Sequence, residues 1–275
     1  MNRTIRNLTV VAAAAAALIT SVASADQLDT VIKRGTLNCG VVADFPPMGY
    51  FDKDNKPAGF DVDYCGDLAT ALGVKLNVLN LTWGDRIPSL ISGKTDVVIG
   101  STSDTLERAK SVGFSYPYFV FKFQVFSKKG TNINSFDDLK NVKVGAALGT
   151  TYETEYLAYA EKKGWGKGNY TAFKSENDAF LGLYQGKVDA IISTNTNIAT
   201  KLQTAEFKDY VAGPFVPNYD DVVGLIAKRS ETAWISYLNL FLIHQIRDGN
   251  MNKHYNRHFG SDAPADLIQA LRDNK

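Results

Sequence analysis

Short apolar runs typical of β-strands alternate with segments of helical periodicity along nearly the whole chain. Residues 37–43 and 74–81 predict strands, and between them residues 60–72 predict a helix that ends at Gly73. After Lys128-Lys129-Gly130 the alternation begins again and continues to about residue 247. A chain that alternates in this way favours an α/β architecture with largely parallel sheets.

The restart of the pattern near residue 130 predicts two lobes rather than one large domain. We expect residues 26–124 and 222–275 to form lobe 1 and residues 125–221 to form lobe 2. The chain is expected to cross between the lobes near residues 121–127 and 213–223. Residues 119–127, which are rich in aromatic side chains, predict one long strand at the first crossover.

The N-terminal segment has the three parts of a secretory signal peptide. Arg3 and Arg6 form a positive region, residues 8–22 form an apolar run, and Ala-Ser-Ala at residues 23–25 fits a cleavage site. We therefore expect a signal peptide over residues 1–25, cleaved after Ala25, and export to an oxidising compartment. An uncleaved membrane anchor is the weaker alternative because the run is short and rich in alanine.

The charge balance gives no sign of a nucleic-acid partner. The sequence has 30 Lys and Arg against 29 Asp and Glu, a formal net charge of +1. Nucleic-acid-binding domains normally carry a strong basic surface. We therefore expect a small-molecule ligand and no nucleic acid.

The cysteines and histidines are few. Cys39 lies in the first predicted strand and Cys65 in the helix that follows, so the two could approach disulfide distance; two buried free thiols are the alternative. His244, His254 and His258 all lie near the C-terminus, and with so few cysteines a metal site is not expected. No cofactor is expected either.

Small hydroxyl residues and one arginine follow the strand predicted at residues 97–100. Such a segment offers N–H groups, hydroxyls and a guanidinium fork to one carboxylate, which predicts a receptor for a small anionic or zwitterionic solute. Arg108 is the candidate for the carboxylate, Ser103 adds a hydroxyl at a helix start, Gly100 offers a carbonyl to an ammonium, and Ser101 lines the segment. The alternatives are a surface ion pair of Arg108 with Glu107 or Asp104, a plain N-cap at Ser103 and a ligand-free turn at Gly100.

Several short motifs occur in order along the chain: Asp44-Phe45-Pro46-Pro47-Met48, Gly59-Phe60-Asp61-Val62-Asp63, Trp83 with Ile87-Pro88-Ser89-Leu90, Ser103 to Arg108, Phe114-Ser115-Tyr116-Pro117-Tyr118, Gly149-Thr150-Thr151 and Asp248-Gly249. In this order and spacing they resemble the periplasmic amino-acid-binding proteins of ABC importers, the polar amino acid branch of solute-binding protein family 3. A subgroup of that family carries a cysteine pair where Cys39 and Cys65 lie, which implies a disulfide.

The resemblance implies a two-lobed periplasmic-binding-protein fold of type II, with two crossovers at the hinge. It also implies a monomer in the periplasm that captures a polar amino acid or an amino-acid-like carboxylate between closing lobes and delivers it to an ABC permease. Residue by residue, it implies that Arg108 holds the ligand carboxylate and that the Thr151 N–H, beside Thr150, grips it from the second lobe. It also implies that Phe45 and Trp83 pack on the ligand.

One position departs from the family pattern. Members that bind α-amino acids usually have an aspartate after the second-lobe strand to hold the ammonium, and this chain has Thr194 there. A buried ammonium without a countercharge is costly. Either the ligand lacks an ordinary α-ammonium, or another carboxylate takes this role, and the candidates are Asp44, Asp104, Asp220 and Asp221.

Two other functions are possible on this scaffold. Cyclohexadienyl dehydratases resemble the family and use an acidic residue after the second-lobe Gly-Thr turn, where this chain has Glu153. However, a carboxylate in a first helical turn is usually a partner of the helix dipole, and no catalytic motif accompanies it. We therefore do not expect an enzyme. The other of the two functions is that of a ligand-binding partner of a sensory receptor.

Overall fold

The computed structural model describes residues 26–166 and 169–273, so the predicted signal peptide at residues 1–25 lies outside the described residues. The strands are β1 Thr36–Val41, β2 Tyr50–Phe51, β3 Pro57–Ala58, β4 Lys75–Asn80, β5 Val97–Ser103, β6 Val112–Phe121, β7 Phe123–Lys128, β8 Val144–Ala147, β9 Tyr170–Phe173, β10 Ala190–Thr194, β11 Tyr210–Phe215 and β12 Asp221–Lys228. The α-helices are α1 Gln27–Arg34, α2 Phe60–Leu72, α3 Arg86–Ile91, α4 Leu106–Ala109, α5 Thr151–Lys162, α6 Glu176–Tyr184, α7 Asn195–Leu202, α8 Thr232–Arg247, α9 Asn250–Phe259 and α10 Ala265–Asp273.

The strands form two five-stranded sheets and one small hairpin. The first sheet has the order β4-β1-β5-β12-β6, and the second has the order β11-β7-β10-β8-β9. In the first sheet β1 pairs in parallel with β4 and β5, whereas β12 is antiparallel to both of its neighbours. Each sheet with its helices forms one lobe, called here the first and the second lobe. The two-lobed α/β architecture predicted from the sequence is therefore confirmed. The expectation of largely parallel sheets is wrong, because half of the strand pairings in each five-stranded sheet are antiparallel.

The chain passes between the lobes twice. The first passage falls at Lys122, because β6 ends at Phe121 in the first sheet and β7 begins at Phe123 in the second. The single long strand predicted over residues 119–127 is therefore wrong. Its two halves are equally apolar, and no Gly or Pro marks the change of sheet. The return passage lies between β11 and β12, and the exact lobe boundaries proposed above stay predictions.

Helix α2 ties the first lobe together. It ends at Gly73, whose φ of 68° is the left-handed conformation that favours glycine. It buries Phe60, Tyr64 and Leu68 against the sheet. Cys65 on α2 forms a disulfide with Cys39 on β1, with the Cα atoms 6.0 Å apart. The predicted disulfide is therefore confirmed. Among the described residues, no helix has the length and apolar character to span a membrane.

Candidate functional site

A small, nearly closed cavity lies between the two lobes. The first lobe lines it with Phe45, Trp83, Arg86, Ser101, Ser103 and Asp221. The second lobe lines it with Thr150, Thr151, Tyr152 and Thr194. Phe121 and Phe123, which flank the first passage of the chain, close its hinge side. Most of the residues predicted to bind a ligand are therefore brought together at one place.

The lobes touch each other directly around this cavity. The Thr151 hydroxyl of the second lobe donates to the Ser103 hydroxyl of the first at 2.6 Å. At the other side of the cleft, the Glu176 N–H donates to the Asp44 carboxylate at 2.9 Å. Contacts of this kind require a closed arrangement of the lobes. They also occupy Asp44, one of the four candidate ammonium partners.

The hydroxyl residues after Ile99 belong to a strand rather than to a loop. Strand β5 continues through Ser103 and is buried throughout. At Ser101 the backbone has a φ of 48°, which is uncommon for a residue other than glycine. The Ser101 N–H donates to the Tyr118 hydroxyl at 3.0 Å, and its side chain donates to Asp61 at 3.1 Å. The Tyr118 hydroxyl in turn donates to Asp61 at 2.7 Å. Tyr118 and Asp61 together therefore hold the Ser101 backbone in place.

Asp61 is the buried acceptor of this network. Burial raises the pKa of Asp61 to about 7, although the hydrogen bonds from Tyr118 and Ser101 favour its charged form. It lies beneath the site rather than in the cavity wall, and its role is to position Ser101.

Arg108 extends from the short helix α4 toward the second lobe. Its Nη1 donates to the Ser103 carbonyl at 3.2 Å, and its Nη2 donates to the Gly149 carbonyl at 3.3 Å. The surface pair with Glu107 is not formed, since Glu107 contacts Lys110 instead. Burial lowers the pKa of Arg108. The guanidinium thus lies at the lobe interface, in a cavity that adjoins the main one.

A second arginine, which the sequence analysis did not single out, lies in the cavity wall. Arg86 is 3% exposed and stands over the Trp83 ring, 4.7 Å from its centroid. Its Nη1 donates to the carbonyls of Gly100 and Ser101 at 3.0 and 2.9 Å. Burial lowers the pKa of Arg86 to about 9, and the charge of Arg108 adds to this effect. The Gly100 carbonyl, predicted for a ligand ammonium, is therefore engaged by Arg86.

Asp221, the first residue of β12, is the one candidate ammonium partner in the cavity wall. It is 3% exposed, and its Oδ1 has no hydrogen-bond partner. Burial raises the pKa of Asp221 to about 7, against the effects of a hydrogen bond from Ser103 and the charges of Arg108 and Arg86. By contrast, Asp104 is exposed, and Asp220 is exposed with its carboxylate 3.7 Å from Lys122 Nζ.

The second lobe presents neutral groups at two helix starts. Thr150 caps α5 and accepts from the Glu153 N–H at 3.3 Å, and Thr194 caps α7 in the same way. Glu153 itself accepts from the Gly149 N–H at 2.8 Å and from the Tyr170 hydroxyl at 3.0 Å. Its carboxylate therefore braces the Gly149 turn inside the lobe.

Another carboxylate, Glu176, is buried behind Thr194. It accepts from the Ser193 hydroxyl at 3.2 Å and from the Asn197 amide at 3.4 Å. Burial raises its pKa well above the ordinary value, and the charge of Asp44 adds to the rise. It is held away from the cavity by its own lobe.

Aromatic side chains form the apolar wall. Phe45 packs edge-on against Trp83, with the ring centroids 4.9 Å apart, and against Phe121 at 5.7 Å. Two polar atoms on this wall, Trp83 Nε1 and the Tyr152 hydroxyl oxygen, are buried without a partner. With Asp221 Oδ1 they give the cavity an unused donor, an unused hydroxyl and an unused acceptor. Such a set can hold a small ligand that carries both hydrogen-bond donors and acceptors.

Arg86, Tyr152 and the Asp61–Tyr118 pair are the residues that sequence reasoning missed. Arg86 is the first residue of the short helix α3, a position where an arginine is ordinarily a solvated side chain. The nearby Trp83 was the only local signal, and it was assigned to ligand packing. Tyr152 and Tyr118 looked like any other core aromatic.

Comparison with known proteins gives one family and many relatives. Residues 37–261 match the model of the bacterial extracellular solute-binding proteins, family 3. The L-cystine-binding protein TcyJ of Escherichia coli K12 is 29% identical over 92% of this chain and 93% of its own length. The L-glutamate/L-aspartate-binding protein of Pseudomonas aeruginosa is 28% identical over 90% of this chain and 86% of its own.

A solved structure with the same fold is a mutant of ArgBP from T. maritima. It is 29% identical, has a TM-score of 0.78, and is matched over 86% of this chain and 100% of its own. The match extends over most of the chain, and so the two proteins share one fold.

Proposed function

Since the chain belongs to family 3 of the bacterial extracellular solute-binding proteins, we propose that it is an amino-acid receptor of an ABC importer. It captures a polar amino acid or an amino-acid-like carboxylate between its lobes and delivers it to a permease. We further propose that residues 1–25 are removed after export, so that the mature protein works as a periplasmic monomer.

One observation carries this proposal: the cavity holds unused polar atoms of opposite kinds at a lobe interface that closes over it. Trp83 Nε1 can only donate, Asp221 Oδ1 accepts, and both are buried without partners. A zwitterion supplies the matching groups. Because Thr151 meets Ser103 only when the lobes are closed, the full set of contacts forms with closure and favours the closed state.

The individual roles follow from position. Arg108 holds the carboxylate, with the N–H groups at the start of α5 around Thr151 completing its contacts from the second lobe. Ser101 and Ser103 line the floor, and Phe45 and Trp83 pack on the apolar part of the ligand. Asp221 takes the place of the aspartate that Thr194 replaces.

We propose binding without catalysis. Both carboxylate oxygens of Glu153 accept hydrogen bonds within the second lobe, from Gly149 and Tyr170. A catalytic acid or base must reach the substrate proton directly or through one water. Glu153 instead shapes the turn before α5, which is a structural role.

The experiment is a thermal-shift screen of mature, ligand-stripped protein against amino acids, amines and small carboxylates. A ligand that binds only the folded state raises its melting temperature in step with ln(1 + [L]/Kd). We expect a shift with at least one α-amino acid and none with simple amines. No shift with any α-amino acid would contradict the proposal, and turnover of prephenate would favour the enzyme instead.

A further inference from the structure

The charges around the cavity do not balance. Arg86 lines the cavity, Arg108 lines the adjoining space, and Asp221 is the one carboxylate among the residues that line either. Asp61 lies beneath Arg86, where its hydrogen bonds come from Tyr118 and Ser101. Among the described residues, neither guanidinium lies within ion-pair distance of a carboxylate. A buried cation without a paired anion is costly, so this excess positive charge needs a partner that enters with the ligand.

The hydrogen bonds of Arg86 leave the Nη2 group of its guanidinium for that partner. Its Nε donates to the Trp83 carbonyl at 3.1 Å, and its Nη1 is engaged by the strand carbonyls described above. Its Nη2 reaches only the Gly149 carbonyl, at 3.4 Å. Arg86 is thus held in place by its own lobe on one side, and its other side is weakly engaged.

Both arginines direct Nη2 to the same oxygen. The Gly149 carbonyl of the second lobe lies 3.4 Å from Arg86 Nη2 and 3.3 Å from Arg108 Nη2. One neutral carbonyl oxygen satisfies two guanidinium groups poorly. A carboxylate is a stronger acceptor, because it is charged and has two oxygens. The Gly149 oxygen marks the place where an anionic oxygen is best accommodated.

The two cavities meet at this point. Trp83 and Arg86 line both the main cavity and the adjoining space that Arg108 and Gly149 also line. A ligand in the main cavity can therefore contact Arg86 with one end while its other end reaches toward Arg108. The unpartnered Oδ1 of Asp221 faces the same ligand from the hinge strand β12.

We propose that the ligand is an acidic α-amino acid, with its ammonium on Asp221 and its two carboxylates shared between Arg108 and Arg86. The inference rests on the proposed function and specifies its substrate class. Two guanidiniums against one carboxylate leave an excess of one positive charge, and an acidic amino acid carries one net negative charge. A neutral amino acid leaves one guanidinium unpaired, and a dicarboxylate without an amine leaves Asp221 unpaired.

The test is titration calorimetry of ligand-stripped protein with L-glutamate, L-aspartate, their amides L-glutamine and L-asparagine, and glutarate. At least one acidic amino acid should bind about tenfold or more tightly than its amide, and glutarate should bind more weakly than glutamate. Amides that bind as tightly as the acids, or glutarate that binds more tightly than glutamate, would overturn the inference. If neutral amino acids bind and acidic ones do not, the receptor function survives and only this inference fails.

The variant Arg86→Gln separates recognition from a bracing role. If Arg86 binds the second carboxylate, the ratio of glutamate to glutamine affinity should fall toward one, while glutamine still binds. If Arg86 only supports β5, the affinities for glutamate and glutamine should fall together and their ratio should stay unchanged. That result would contradict the inference. Arg229→Gln, at an exposed position, is the matched control. Should Arg86→Gln not fold, Arg86→Lys keeps the charge but loses the fork, and the same ratio is measured.

Discussion

The two lobes contribute to the cavity in different ways. The first lobe supplies the charged side chains Arg86, Arg108 and Asp221, each held by its own strands or helices. The second lobe supplies neutral groups at the starts of α5 and α7, such as Thr151 and Thr194. From this contrast we propose that the first lobe recognises the charges of the ligand and that the second lobe closes over it. The two roles can be tested separately.

The largest effect should come from removing charge from the first lobe. Arg108→Ala should weaken amino-acid binding well over tenfold, by about 2–5 kcal/mol, because a desolvated carboxylate is left without its cation. Titration calorimetry measures the change, with the exposed Arg229→Ala as control. Unchanged affinity would remove Arg108 from the carboxylate site.

The lobes should also differ in stability, since the first lobe alone has a disulfide. The double variant Cys39→Ala, Cys65→Ala should lower the unfolding free energy of the first lobe by about 3 kcal/mol, because the unfolded chain is no longer cross-linked. Hydrogen exchange resolves the two lobes. We expect amides of β1 and β4 to lose protection and those of β8 and β10 to keep it. Equal losses in both lobes would mean that the lobes unfold as one unit.

Acid should weaken the binding of a ligand that carries an ammonium. Asp221 must be ionised to pair with it, and burial raises the pKa of Asp221 to about 7. As the pH falls from 7 to 5, protonation of Asp221 should reduce affinity by up to about tenfold per pH unit. Calorimetry across this range should show the decline in the wild type and a shallower one for Asp221→Asn, in which Asp61, whose pKa burial also raises to about 7, still titrates beneath the site. A flat wild-type profile would contradict a charged partner at this position.

A smaller effect should follow from breaking a contact of the second lobe. Thr151→Val removes the 2.6 Å hydrogen bond to Ser103 and should disfavour the closed form by about 1 kcal/mol. Fluorescence energy transfer between labels on the two lobes reports the open and closed populations without ligand. Ser103→Ala should give a similar shift, and the double variant should add little. Full additivity would show that the two hydroxyls are not coupled.

The smallest effects should come from carboxylates outside the cavity. Asp104→Asn and Asp220→Asn should change amino-acid affinity by less than about twofold, since exposed charges are well screened. Their calorimetric titrations also serve as controls for Asp221→Asn. A loss at either position comparable to that at Asp221 would move the ammonium site to the cleft edge.

The sequence predicted the architecture well because its signals are local. The glycine stop at Gly73 and the apolar runs of β1 and β4 are each contained within a few residues, and these runs determine the α/β alternation. The crossover was expected near residues 121–127, but the break between β6 and β7 was missed because Phe121 and Phe123 both fit an apolar strand. The order of pairing in a sheet depends on distant partners, and strand propensity carries no information about it.

The site could be predicted only where a motif spans it. Arg108, Ser103 and Thr151 were singled out because each belongs to a recognisable motif next to a helix start, and their roles in binding stay predictions. Arg86 was not found because its burial results from packing between Trp83 and the carbonyls of β5, which lie 14 and 15 positions further along the chain. Among the four aspartates, only the three-dimensional structure places Asp221 in the cavity wall and leaves its Oδ1 without a partner.

The most direct measurement is a crystal structure of the mature protein with bound L-glutamate. We expect carboxylate oxygens within hydrogen-bond distance of Arg108 and Arg86, the ammonium on Asp221, and uncharged groups of the second lobe closing the cavity. A ligand outside the inter-lobe cavity would contradict the account. An ammonium held by a second-lobe carboxylate such as Glu176 would equally contradict it.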